Sequence, residues 1–249
     1  MDRIDPRVIE LDGAFNFRDL GGLPTIDGGR TRHGVLYRSD ALQHLEPSAV
    51  ARLHELGISS IVDLRSESEV EQRGRGLLAD EAIGWFHFPL SDIGAPGYEP
   101  PAALAAGDMG AHYVETLPGR TPQLARVIEH LADPDAVPAI FHCAAGKDRT
   151  GVVAALVLEL VGVRADAIVD DYVLTDEAMP AIVQRFRGGD NATSVWNSVS
   201  GAMRAEAKSM EQFLAALEER HGGAHGWARD CGLGDDTLAR LRALLVEGA

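Results

Sequence analysis

The chain has 249 residues, long enough for one α/β domain with a full hydrophobic core. Its 23 Lys and Arg against 38 Asp and Glu leave a net charge of −15, which argues against general attraction to nucleic acid or an anionic membrane; an anionic substrate must be captured by a local positive site. Two cysteines, Cys143 and Cys231, are too few for a disulfide framework and point to a reducing compartment. The N-terminal MDRIDPRVIELDG has no apolar stretch of signal-peptide length, and the longest apolar run, 151–163, is too short to cross a bilayer and contains Glu159. A cytoplasmic location without integral membrane association is expected, and export by a route that needs no such signal is compatible with the same sequence.

Through residue 142 short apolar runs alternate with helical patterns. Strands are expected at 35–37, 60–64, 85–90 and 139–142, with helices at 47–56 and 121–131 between them. This alternation predicts an α/β fold with a mainly parallel central sheet flanked by helices, whose ligands bind beyond the carboxyl ends of the strands. Cys143, Arg38 to Asp40, Asp63 to Ser66 and Ser91-Asp92 each follow an apolar run and are expected to converge there. From Gly151 the chain becomes nearly continuous helix, at 151–163, 166–175, 176–187, 202–219 and 235–246. The last places Leu238, Leu241 and Leu245 on one core-facing stripe. A polar break at 188–193 leaves two readings of 179–210, an active-site lid or a packing pair of helices. No internal repeat is present, and a single domain spanning 1–249 is expected.

The segment His142-Cys143-Ala144-Ala145-Gly146-Lys147-Asp148-Arg149-Thr150-Gly151 joins an apolar strand to an apolar helix. Backbone N–H groups of such a loop, together with those of the helix's first turn, form a concave anion site. Ala144, Ala145, Gly146, Lys147 and Thr150 are the expected phosphate-binding positions. The helix terminus, Lys147 and Arg149 stabilise a thiolate at Cys143, and Arg149 offers a planar fork matched to two phosphoryl oxygens, which a lysine could not reproduce. A buried inert cysteine is the bland alternative. The spacing of Cys143 to Arg149, with Gly146 and Thr150, favours a nucleophile. A nucleotide-binding GxxxxGK[ST] loop fails at both ends, because Phe141 stands where the first glycine is needed and Asp148 where the hydroxyl is needed. There is no GxGxxG, HExxH or CxxC, so neither a metal nor another cofactor is expected.

This loop, with Asn16-Phe17-Arg18-Asp19-Leu20-Gly21-Gly22, Leu36-Tyr37-Arg38-Ser39-Asp40, Asp63-Leu64-Arg65-Ser66 and the later Asp171-Tyr172-Val173-Leu174-Thr175 and Gly232-Leu233-Gly234, resembles the atypical bacterial protein-tyrosine phosphatases of the tyrosine phosphatase B group, within the dual-specificity-like cysteine phosphatases. The resemblance spans most of the chain. It implies the cysteine-phosphatase fold, a phosphocysteine intermediate, no metal cofactor, often a helical lid, and activity on phosphoinositides as well as phosphotyrosine. The expected partner is thus a phosphorylated protein or a phosphoinositide. A non-catalytic phosphate-binding module is the alternative from another class, but its usual mark would be loss of the cysteine or the arginine, and both are present. There is no Trp-Pro-Asp loop to supply a general acid. Asp148 is the family-like substitute, and a bound phosphate dianion would push its carboxyl toward the protonated form. Asp92 and Asp63 are competing acids, and Asp148 is equally read as a structural carboxylate that orients Arg149 or caps the helix. Arg18, Asp19 and Arg38 are expected to form ion pairs holding the N-terminal segment against the sheet, Gly21-Gly22 to serve a turn, and His142 to hydrogen-bond within the loop rather than act as a base.

Overall fold

The computed structural model describes residues 5–91, 97–188 and 204–248. In chain order these form β1 (Arg18–Asp19), β2 (Arg30–Thr31), β3 (Leu36–Ser39), α1 (Pro47–Glu55), β4 (Ser60–Asp63), α2 (Glu67–Arg73), β5 (Gly84–His87), α3 (Ala102–Ala105), α4 (Met109–Leu131), β6 (Ala139–His142), α5 (Asp148–Leu160), α6 (Ala165–Val173), α7 (Thr175–Gly188), α8 (Ala207–His221), α9 (Gly223–Asp230), α10 (Asp235–Leu245) and β7 (Val246–Glu247). The main sheet has five strands in the order β1-β3-β6-β4-β5, with β1 antiparallel to β3 and the other neighbours parallel. The expected α/β architecture is what forms.

Side-chain alternation along the strands divides the interior in two. Leu36, Val62 and Phe141 face the larger core with α4 and α5, while Tyr37, Ile61 and Ile140 face a smaller one with Leu53 of α1 and Phe17. Helix α5 is buried on every side except at Asp148 and Glu159, as a helix must be when it lies on β3 and β6 beneath α4, α6 and α9. Register places Ser39 of β3 and Asp63 of β4 opposite His142. The three central strands therefore end level, and Asp40, Leu64 and Cys143 emerge side by side at one edge of the sheet.

Four helices depart from the expectation, of which α3 is a single unforeseen turn at Ala102–Ala105. Helix α4 starts at Met109 rather than 121 and carries Pro118 and Pro122 inside it. Asp108 caps its first turn by accepting from Ala111 N–H at 3.0 Å, and Tyr113, Leu117, Leu124, Val127, Ile128 and Leu131 keep its buried stripe continuous past both prolines. The carbonyl of Val114, which Pro118 cannot bond, accepts from Arg220 at 3.5 Å. Helix α2 was not expected; its start is a capping box in which Ser66 Oγ accepts from Glu69 N–H and Glu69 accepts from Ser66 N–H. Helix α9, following the left-handed Gly222, was not expected either. No helix among the described residues is long and apolar enough to cross a membrane.

The expected pairing of Arg18, Asp19 and Arg38 takes a different form. Asp19 faces His33 at 2.9 Å and accepts from Gly21 N–H at 2.8 Å, which fixes the Gly21-Gly22 turn. Both arginines reach across the sheet edge to Asp171 on α6: Arg18 Nε donates to Oδ1 at 3.0 Å and Arg38 Nη1 to Oδ2 at 2.7 Å. Arg7 adds a third guanidinium at 2.8 Å. Arg18, Arg38 and Asp171 are all fully buried, so this cluster joins the N-terminal segment to α6 as well as to the sheet.

Against the upward push of burial, these three guanidiniums hold the Asp171 carboxyl far below the usual carboxylate range. A carboxylate depressed in the folded state contributes stability that is complete above its unfolded pKa near 4 and is lost as pH falls toward the folded value. Asp171→Asn should lower the free energy of urea unfolding at pH 7 by about 3–5 kcal/mol, since it leaves buried arginines without their counter-charge. The gap between wild type and variant should narrow below about pH 4; a gap independent of pH would show that Asp171 acts through shape rather than charge.

Candidate active site

Residues 143–147 form the turn between β6 and α5. Gly146 adopts φ +67°, and a Cβ there would stand 2.5 Å from the Ser39 carbonyl oxygen and 2.7 Å from Asn16 Nδ2, so only glycine fits. Three successive carbonyls of the turn are held from outside. Ala144 O accepts from Ala41 N–H at 3.2 Å, Ala145 O from Asn16 Nδ2 at 3.2 Å, and Gly146 O from both Asn16 Nδ2 at 3.2 Å and Arg38 Nη2 at 2.7 Å. In a trans peptide the N–H points opposite to its C=O, so the amides of Ala145, Gly146 and Lys147 turn inward. None of these N–H groups has a hydrogen-bond partner among the described residues. With the first turn of α5 they make a nest of donors suited to an anion.

The expected nucleophile Cys143 stands at the base of this nest and is 2% exposed. Thr150 Oγ1 is buried without a hydrogen-bond partner among the described residues. His142 Nδ1 donates to the Cys143 carbonyl at 3.3 Å, and burial pushes its pKa down to about 4. It is a neutral brace at pH 7, in line with the expected hydrogen-bonding role.

Arg149 is gripped at both Nη atoms by Glu69 of α2, with Nη2 to Oε1 at 3.0 Å, and Nη1 also lies 3.3 Å from Ser91 Oγ. Burial alone would lower its pKa, but Glu69 keeps it above the usual arginine value, so it is always charged. This corrects the reading in which Asp148 orients Arg149. Asp148 instead accepts from Tyr113 OH at 2.6 Å and from Lys147 Nζ at 2.5 Å, both at Oδ1. Despite burial, Lys147 and Tyr113 hold its carboxyl below the usual range, and its place in the first turn of α5 has the same sense. Asp63, one of the competing acids, is enclosed. Arg65 Nε and Nη2 donate to its Oδ2 at 3.1 and 2.6 Å, and Arg65 N–H to Oδ1 at 3.0 Å; it is fully buried and, against the push of burial, the charge and hydrogen bonds of Arg65 keep it ionised. Neither oxygen can reach a substrate. Asp92 lies outside the described residues.

Helix α7 lies over the turn, packing Met179, Ile182 and Phe186 on Ala144 and Ala145. Its Arg185 donates to Asp40 at 3.0 Å and to Gly13 O at 2.9 Å, with the guanidinium 4.0 Å above the Phe15 ring. The first part of the segment expected as a lid thus packs as a roof on Ala144 and Ala145; residues 189–203 of it lie outside the described residues. Sequence reasoning did not foresee Asn16, Glu69 or Tyr113. Only Glu69 left a readable local signal, the Ser-x-x-Glu spacing that starts α2.

A family model described as "Tyrosine phosphatase family" matches residues 9–247. The chain is 32% identical to the triple specificity protein phosphatase PtpB of Mycobacterium tuberculosis, over 96% of this chain and 99% of that protein. It is 28% identical to a tyrosine-protein phosphatase of Nostoc commune, over 78% of this chain and 68% of the relative. Among solved structures it is similar to the Siw14 catalytic core, at 20% identity and a TM-score of 0.43, covering 74% of this chain and 90% of that one.

Gly146→Ala should weaken binding of inorganic phosphate by about tenfold or more, because a left-handed non-glycine residue costs about 1–2 kcal/mol before the clash with Ser39 is counted. Isothermal titration with phosphate or vanadate reads this directly. Unchanged affinity would mean that the inward amides are not what holds the anion.

Proposed function

Because the chain belongs to the tyrosine phosphatase family, we propose that it is a cysteine-dependent phosphomonoester hydrolase in which Cys143 is the nucleophile, Arg149 the phosphate clamp and Asp148 the general acid. The observation that carries this reading is the position of Cys143 beneath the inward amides of Ala145, Gly146 and Lys147, at the start of α5, with Arg149 fixed beside it by Glu69. The Cys143 thiolate attacks phosphorus in line and forms an S–P bond. The P–O bond to the leaving group breaks on the opposite side, and that oxygen takes a proton from Asp148. Loop amides and Arg149 hold the equatorial oxygens, where charge placement is the main demand of phosphoryl transfer. Water then attacks the phosphocysteine, gives its proton to Asp148, and releases phosphate with the thiolate restored.

The ion pair with Lys147 keeps Asp148 ionised in the free protein, and arrival of a phosphate dianion beside it supplies the opposing charge that protonates it. Thr150 Oγ1, buried and without a hydrogen-bond partner among the described residues, is a donor available to the Cys143 sulfur. The favoured substrate class is phosphotyrosine or another phosphoprotein ester. Phosphoinositides are the second reading, which the family resemblance of the sequence motifs implies. Lys147 adds little to that second reading, since its ammonium is buried on Asp148.

Cys143→Ser should abolish turnover while binding of phosphate persists, because serine keeps the nest but is barely ionised; hydrolysis by this variant would sink the covalent route. Arg149→Lys should reduce kcat by about 10²–10³-fold, the typical loss when an oriented donor to transition-state charge is removed. Asp148→Asn should slow phenyl phosphate by about 10²–10⁴-fold and an activated nitrophenyl ester far less. A loss uniform across leaving groups would return Asp148 to a structural role. A panel of phosphotyrosine peptides, phosphoserine peptides and inositol lipids, compared by kcat/KM, ranks the substrate classes; a lead for inositol lipids would replace the favoured reading with the second.

A further inference from the structure

Resting on Asp148 as the general acid, we propose that Tyr113, backed by Tyr172, is the positioning residue that dedicates one oxygen of Asp148 to the protein and the other to proton transfer. Two donors from different elements converge on Oδ1, Tyr113 OH from α4 at 2.6 Å and Lys147 Nζ from the turn at 2.5 Å. Oδ2 has no hydrogen bond among the described residues, and the Asp148 side chain is 23% exposed. A carboxylate accepts but does not donate, so the single hydroxyl proton of Tyr113 is committed to Asp148. The Tyr172 hydroxyl, 2.7 Å from that of Tyr113, must then donate to it. The result is a directed chain, Tyr172 to Tyr113 to Asp148, in which each bond polarises the next.

The chain survives the catalytic proton. When Asp148 is protonated at Oδ2, Oδ1 is the carbonyl oxygen and still accepts from the same two donors, so the side chain need not turn between acid and base steps. The rings are fixed as well: Tyr113 stands edge-on to Tyr172 and to Phe213 at 6.3 and 6.2 Å between centroids. Residue 151, in the first turns of α5, is glycine where a Cβ would lie 3.0 Å from the Tyr172 ring. A side chain there would press on the ring that backs Tyr113.

The groups facing Asp148 are Lys147 and Arg149 beside it, His112, Tyr113 and Arg120 on α4, and Tyr172 on α6. Burial, with Arg120, pushes His112 down to about 4. Burial and Asp148 push Tyr113 well above its ordinary value, and Arg120 is lowered only to about 10. Of these groups only Asp148 is left to take up a proton when a bound phosphate dianion raises its pKa. A general acid must be protonated, so kcat for phenyl phosphate falls as pH rises through that value. Tyr113 stabilises the carboxylate, so its removal moves the fall to higher pH.

Tyr113→Phe should lower kcat for phenyl phosphate by about tenfold at the acid plateau, a fraction of the full general-acid contribution. Nitrophenyl phosphate should change by less than about twofold, and the alkaline limb should rise by about one pH unit. Tyr172→Phe, which leaves the Tyr113 contact but removes its donor, should shift both readouts in the same direction by less, and it serves as the test if Tyr113→Phe does not fold. In an Asp148→Asn background Tyr113→Phe should add no leaving-group selectivity. If the tyrosine variants slow both esters equally with an unmoved limb, while Asp148→Asn alone retains its selective loss, the positioning role is overturned and the acid assignment stands. If Asp148→Asn itself loses no selectivity, the acid assignment fails first, and this inference with it.

Discussion

One buried carboxylate organises the edge of the sheet that carries the candidate site. Asp171 accepts from Arg7, Arg18 and Arg38, and each of the two buried arginines continues past it: Arg38 to the carbonyl of Gly146, Arg18 to the side chain of Asn16, which in turn holds the carbonyls of Ala145 and Gly146. The direction of the turn's amides thus depends on an ion cluster that lies behind them and never meets a substrate. Such a cluster is weak evidence for stability, because desolvation consumes much of its Coulomb energy. Its value here is geometric: guanidinium forks fix carbonyl directions, and carbonyl directions fix amide directions.

The same separation between support and chemistry runs through the other charges. The chain carries a net −15, and three cations of the turn and its support are already engaged by carboxylates: Lys147 by Asp148, Arg149 by Glu69, and Arg38 by Asp171. Glu69 holds the Arg149 fork in a fixed plane, so little side-chain freedom is lost when an anion arrives. The backbone N–H groups of the turn, without partners among the described residues, add a positive field to that of the side chains. A protein so acidic can then hold a small anionophilic pocket without a broad basic face.

Much of this was legible in the sequence because it is local. The apolar run ending at Cys143, the glycine at 146, the arginine six residues on and the apolar helix beyond are contiguous, and β3, β4 and β6 announce themselves by short apolar stretches of the right spacing. What escaped depends on partners distant in sequence or on an override of local rules. The assignment of Arg149 to Glu69 spans 80 residues, and that of Arg18 to Asp171 spans 153. Pro118 and Pro122 argue against a helix locally, yet a buried stripe carries α4 through both. Tyr113 is a core ring whose hydroxyl end belongs to Asp148, 35 residues away. The expected roles of Asp148 and Asp63 were separated only by seeing which oxygen atoms were already engaged.

The long reach of Asp171 also sets an order of assembly. As the chain emerges from its N-terminus, Arg18 and Arg38 are available long before α6 exists, and neither can be buried at low cost until Asp171 arrives to neutralise it. A strand β3 packed early would have to keep Arg38 hydrated, and the turn at Gly146 would lack the donor that fixes its direction. Closing a loop of 153 residues is entropically slow to repay. The pocket is therefore among the last features to mature, and a partly made chain bearing the complete Cys143 to Arg149 segment is not yet shaped for chemistry.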